Sequence, residues 1–193
     1  MRFARVAAAA VAGVALLAGC SEGQQANETL PSTSSTAAPS SDALQPLGPP
    51  EFPVPDAARE QTPSGVAAFA AYYLDLSDFL LPSLDSQPLR ELSRQCEVCD
   101  QLADGYDADR AAGYRYEGGG LTVTSTGTAT VEGTHGELSF VLRQEPVAVY
   151  DANGDEIVER RSDSYELTGG MTLDWDSTRT CWIVTQLVAE RLL

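Results

Sequence analysis

The chain has 193 residues and a mass of 20.5 kDa, with 12 basic against 28 acidic side chains, one histidine, a formal charge of −16 and a pI near 4.2. Every basic residue is arginine, the mark of a GC-rich genome. The acidity excludes nucleic acid as a partner, because phosphate has to be neutralised by clustered cations. One histidine and four cysteines leave little for a metal centre or a histidine-based triad, so no cofactor, metal or catalytic constellation is expected.

The first segment, 1–19, reads as a signal peptide. Arg2 and Arg5 precede an apolar run from Val6 to Leu17, well short of the ~20 residues a helix needs to cross a bilayer. The run closes with Leu17-Ala18-Gly19-Cys20, which resembles the lipobox of bacterial lipoproteins. That resemblance implies a diacylglyceryl group on the Cys20 thiol and cleavage just before it. Two acyl chains hold where one would exchange, since each buried methylene contributes about 0.8 kcal/mol. The expected address is therefore the outer face of the plasma membrane, with acyl chains on Cys20 as the membrane contact. Removing the leader takes away two arginines and no acid, so an anionic membrane surface repels the mature chain and the lipid does the holding.

Residues 20–55 are rich in Ser, Thr, Ala, Pro and Gln, as in Pro31-Ser32-Thr33-Ser34-Ser35-Thr36. Such a segment buries too little apolar surface to offset the entropy of ordering it. It reads as a disordered tether with a reach of about 30–35 Å, enough to carry the domain into the cell wall. Residues 56–193 then suit one domain with a single core.

Within it, Thr62-Pro63-Ser64-Gly65 has the form of a helix start with proline in the first turn. Val66, Phe69, Ala70, Tyr73 and Leu80 recur at helical spacing, and Pro82 ends the pattern. A short turn of helix follows around Pro88 to Arg94, and a third helix from about Cys99 to Ala112 meets Gly113 as its cap. The period then changes from 3.6 to 2. Leu121, Val123 and Ser125 alternate with threonines, and Leu138, Phe140 and Leu142 alternate with Ser139, Val141 and Arg143. Gly133 to Gly136 and Asn153-Gly154 read as hairpin turns, Gly169-Gly170 as a bulge in the stretch Tyr165 to Trp175, and Cys181 to Leu192 as the last strand. Helices followed by a meander of four to six strands give an α+β domain, with N-terminal helices packed on a curved antiparallel sheet.

Three stretches carry a closer likeness: Thr62 to Tyr73, Leu89 to Cys99, and Gly118-Gly119-Gly120 entering a strand. With them the chain resembles, from about Pro55 to Leu193, a family of uncharacterised actinobacterial lipoproteins containing the domain of unknown function 6318. The resemblance implies the cone of nuclear transport factor 2, in which a curved sheet wraps a long helix and leaves a pocket. It carries no activity with it.

Cys96 and Cys99 stand as C-x-x-C, which in an oxidising compartment is first a structural disulfide. A redox role needs an accessible thiol of low pKa, usually on a helix that follows a strand, and no strand leads in here. Cys181, next to Trp182, is either a buried inert thiol or a partner for Cys96 or Cys99. Asp75 and Asp78 lie three apart beside Tyr72 and Tyr73, a carboxylate and phenol set suited to proton transfer or ligand contact in a pocket, or else a solvated face with its tyrosines in the core. Asp151 to Asp155 faintly echoes a calcium loop, but Glu156 replaces the required glycine, so it reads as a turn. Together these features suggest a lipid-anchored module that binds an envelope ligand or protein rather than an enzyme. The alternatives are a small pocket enzyme with Asp75 or Asp78 as base, and a structural spacer in the wall.

Overall fold

The computed structural model describes residues 44–192. The leader, Cys20 and the tether up to residue 43 lie outside the described residues. Within residues 44–55, expected in the solvated tether, two side chains are anchored on the domain while most of the others stay exposed: Phe52 stacks on Tyr72 and Phe79 with ring centroids at 5.3 and 4.8 Å, and Val54 is buried. The body therefore begins ahead of Asp56, because a proline-rich run needs only a few apolar anchors once a neighbouring helix offers an aromatic face. A single 3-10 turn, Asp56–Arg59, ends this strap. Arg59 is buried and donates to three carbonyls, Gln45 O at 2.6 Å, Arg179 O at 2.7 Å and Thr180 O at 3.0 Å. It ties the strap to the turn between the last two strands.

Helix α1, Pro63–Leu80, starts where the sequence predicts, with the Thr62 hydroxyl accepting from Gly65 N–H at 3.0 Å. Gly65 is needed there, since a Cβ would sit 1.9 Å from Glu60 O. Val66, Phe69, Ala70, Tyr73 and Leu80 are all buried, as their spacing implies. Helix α2, Gln87–Glu91, is a single short turn, and α3, Glu97–Ala112, begins at the Cys96–Cys99 disulfide and stops at Gly113, whose φ of 72° few other residues adopt.

The strands are β1 (Arg115–Gly118), β2 (Leu121–Thr126), β3 (Thr130–Glu132), β4 (His135–Gln144), β5 (Val147–Tyr150), β6 (Tyr165–Asp176) and β7 (Cys181–Arg191). The main sheet is antiparallel in the order β2-β4-β6-β7, with β3 also paired to β4, and β1 pairs separately with β5. This is the expected α+β class with its curved sheet. Register shifts between Val123 and Ser125 and between Thr172 and Leu173 add curvature. The bulge expected at Gly169-Gly170 thus lies further on. These glycines pair regularly with Phe140 and Ser139, and Gly169 is required because a Cβ would fall 2.0 Å from Val188 O. Leu138, Phe140 and Leu142 of β4, Met171 and Leu173 of β6, and Trp182 and Val184 of β7 close the core against α1.

One irregularity positions the candidate site. Strands β1 and β2 face β5 and β4 as one long ribbon that breaks at a corner, where Gly119 N–H donates to Pro146 O and Glu145 N–H to Gly120 O. Gly118 and Gly119 take φ of 73° and 88°, and Pro146 has no N–H to continue the ladder. The ribbon bends here, over the last turn of α1.

Candidate functional site

At this corner Gly120 passes close enough to α1 that a Cβ would lie 3.4 Å from Asp78 Oδ2. The approach lets Leu121 N–H donate to the same oxygen at 2.7 Å. Asp78 of α1 and Leu81 just after it, Leu102 and Tyr106 of α3, and Tyr116, Gln144 and Tyr165 from the strands enclose a cleft of about 260 Å³. Its walls are mostly apolar and it carries a single carboxylate. A larger hollow of about 410 Å³ lies on the sheet, among Thr130, Glu137, Ser139 and Gln186. Its one carboxylate, Glu137, is exposed.

Burial raises the Asp78 carboxyl above its ordinary value and the Asp75 charge adds to this, while the Leu121 N–H pulls the other way. Tyr106 donates to Ser77 O at 2.9 Å, and its phenol is pushed well above the usual range by burial. Tyr116 donates to Asp109 Oδ2, and its hydroxyl is pushed up to about 12, first by burial and then by that bond. Asp109 is saturated: Arg160 reaches its two oxygens at 2.6 and 2.8 Å and holds its carboxyl below the usual range. This pair pins the segment after β5 to α3 at the rim of the cleft.

The structure separates the four residues that the sequence grouped. Asp78 lines the cleft, whereas Asp75 is exposed one helical turn away. Tyr72 is buried under the strap and donates to Phe52 O at 2.9 Å. Tyr73 is buried with its hydroxyl 3.4 Å from Leu89 O, and burial pushes both phenols up to about 12. Asp78's aromatic neighbours are instead Tyr106, Tyr116 and Tyr165, from elements that sequence spacing does not bring together. Only Gly118-Gly119-Gly120 hinted at a close backbone approach.

Cys96 and Cys99 form a buried disulfide that caps α3, with Cys99 N–H donating to Cys96 Sγ at 3.3 Å. Cys181 stays a free thiol in the core; burial pushes it up to about 11, and it donates to Trp182 O. In the Asp151 loop, Asp151 Oδ1 accepts from Asn153 and Asp155 N–H at 2.8 and 2.9 Å, closing a turn on itself. Among the described residues no three His, Cys, Asp or Glu side chains are placed to hold a metal, and no helix is long and apolar enough to cross a membrane.

A family model described as a family of unknown function (DUF6318) matches residues 48–187. The chain belongs to this family. Its matched span begins inside the strap, in keeping with a DUF6318 domain that starts ahead of Asp56. No curated protein matches the sequence. Among solved structures, the DUF6318 chain is similar to the intermembrane space region of the chloroplast protein ARC6, with a TM-score of 0.48, 16% identity, and coverage of 67% of this chain and 95% of that one. It is also similar to a nuclear transport factor 2-like superfamily protein from Salmonella enterica subsp. enterica serovar Typhimurium str. LT2 (TM-score 0.45, 10% identity, covering 67% and 93%). A third is Aln2 from a Streptomyces species (TM-score 0.43, 12% identity, covering 66% and 90%).

Proposed function

We propose that the protein is a binding module of the cell envelope, held at the outer face of the plasma membrane by acyl chains on Cys20, whose domain takes a small ligand in the cleft beside Asp78. The observation that carries the binding half is that cleft, an apolar hollow with one convergent carboxylate. At about 260 Å³ it lies just below the range of about 300–1,000 Å³ usual for ligand sites, so the ligand is small. The anchoring half rests on Leu17-Ala18-Gly19-Cys20 behind its short apolar run. The net charge argues against nucleic acid as a partner, and six of the ten described arginines, Arg90, Arg110, Arg115, Arg143, Arg160 and Arg161, each face a carboxylate.

A second reading, acid–base catalysis on a small apolar substrate, has the raised carboxyl of Asp78 in its favour. Asp78, not Asp75, is then the base, and Tyr106 or Tyr116 replaces Tyr72 and Tyr73 as donor. Native mass spectrometry of the protein released gently from its own membranes tests the binding module. A retained small molecule is expected. A stoichiometric protein partner moves the role to an interaction surface, and a bare chain favours a wall spacer. Fractionation tests the anchor, because Cys20→Ala is expected to leave the membrane pellet.

A further inference from the structure

The cleft holds a charge that its own walls leave unbalanced. Asp78 Oδ2 is occupied by Leu121 N–H, whereas Oδ1 makes no hydrogen bond among the described residues. No buried side-chain oxygen among them lacks a partner, so Oδ1 is reached by solvent. No described arginine lies within ion-pair distance of Asp78, and its charged neighbour on α1 is a second carboxylate, Asp75. At the rim the contrast is plain, since Asp109 is met by both Arg160 and Tyr116.

The walls favour one sign of ligand. Tyr106, Tyr116 and Tyr165 line the hollow, and the faces of aromatic rings attract cations. Two of these rings already take a guanidinium against one face, Arg160 at 5.8 Å from the Tyr116 centroid and Arg191 at 4.3 Å from that of Tyr165. An anion would be repelled by Asp78, and the guanidinium of Arg160 beside Tyr116 is already paired with Asp109. A neutral apolar body would strip water from a carboxylate without replacing its hydrogen bonds, which is costly. A bare metal ion lacks the three ligands it needs among the described residues.

We propose that the cleft takes a small organic cation, an ammonium whose N–H donates to Asp78 Oδ1 while its apolar body lies among Tyr106, Tyr116 and Tyr165. The inference rests on the reading of the cleft as a ligand site and adds the class of ligand. Burial and then the Asp75 charge raise the Asp78 carboxyl, and an ammonium beside Oδ1 would bring it back down.

The test is calorimetric titration of the full chain at neutral pH with phenethylammonium and its uncharged counterpart 2-phenylethanol, which match in shape. The ammonium is expected to bind at least about tenfold tighter, the scale of a charge-assisted hydrogen bond. Asp78→Asn is expected to abolish that margin, with the ammonium weakened at least about tenfold. Should Asp78→Asn fail to fold, Tyr165→Leu serves instead, with an expected loss about threefold greater for the ammonium than for the alcohol. Equal binding of the two molecules, or a margin that survives Asp78→Asn, overturns the cation and leaves the cleft as a ligand site. Saturation by neither up to about 10 mM also overturns the cation. The cleft itself falls if native mass spectrometry retains no small molecule, or if a retained adduct survives Leu102→Trp, which fills it.

Discussion

In its first turns α1 presents Val66, Phe69 and Tyr73 to an interior closed by Trp182, whereas in its last turn it presents Asp78 and Leu81 to a cleft that solvent reaches. The difference arises in the strands rather than in the helix. At the packed end β4 runs unbroken, and Gly136 leaves room for Val66 and the Trp182 ring to converge over its backbone. At the open end the ribbon breaks at Gly119-Gly120 and Glu145-Pro146, so the last turn of α1 is touched by a corner instead of covered by a strand. Helix α3 stays buried on one face along its length, from the disulfide at its start to Tyr106 and Asp109 near the cleft. One helix can thus serve as core and as site wall when its partner strands are interrupted.

Substitutions at the packed end should have the largest effects. Trp182 is fully buried, meets Trp175 edge-on at 5.2 Å and donates to Glu60 O at 2.9 Å. Trp182→Ala is expected to cost about 3–5 kcal/mol in urea denaturation; a loss under about 1 kcal/mol would mean that this end is not the core. Next comes the disulfide: removing both cysteines, as Cys96→Ala with Cys99→Ala, should cost about 2 kcal/mol, the chain-entropy value for so short a loop. Free thiols at both positions in protein taken from the envelope would remove that expectation.

The cleft end should respond through pH more than through packing. Asp109→Asn is expected to cost about 1–2 kcal/mol at neutral pH, because it breaks a bond from Arg160. Arg160 depresses the carboxyl of Asp109 in the folded state, so this contribution is complete above the ordinary carboxylate range and lost as the pH falls through and below it. Melting curves of parent and variant should therefore converge in acid. Asp78 has the opposite sign. Its folded carboxyl is raised, so its charge opposes folding above the raised value and ceases to do so below the ordinary one. Asp78→Asn is expected to stabilise the protein at neutral pH by less than about 1 kcal/mol, with the gain vanishing on acidification. A gain that persists in acid would show that the charge is not its source.

The packed end was legible in the sequence and the open end was not, for a physical reason. The apolar spacing of α1, the cap at Gly113 and the alternation of Leu138, Phe140 and Leu142 are local patterns, each written in consecutive residues. Strands β1 and β5 are four residues each, mostly outside the core, and pair across a long stretch of chain, so nothing local announces them. Tyr73 and Asp78 looked like one set, but five residues turn a helix by about 140°, which sends Tyr73 into the core and Asp78 to the corner. Tyr106, Tyr116 and Tyr165 reach the cleft from α3, β1 and β6, and only the tertiary structure assembles them. The strap was hidden by its composition, since Phe52 and Val54 are sparse among prolines.

The Arg59 knot also gives the domain a mechanical polarity. A pull from the N-terminal side loads the bond from Arg59 to Gln45 O and the stack of Phe52 on Tyr72 and Phe79 before it reaches any rung of the sheet. The strap is therefore expected to peel one contact after another while the strands stay paired, seen in single-molecule pulling as a short extension ahead of the domain's own unfolding. Arg59 also grips the carbonyls of Arg179 and Thr180, the latter a β-branched residue at a φ of 49°, so the same side chain that bears the load steadies a strained turn. Tension high enough to free Arg59 would therefore be felt next at the start of β7, at the packed end, and only afterwards at the corner over Asp78.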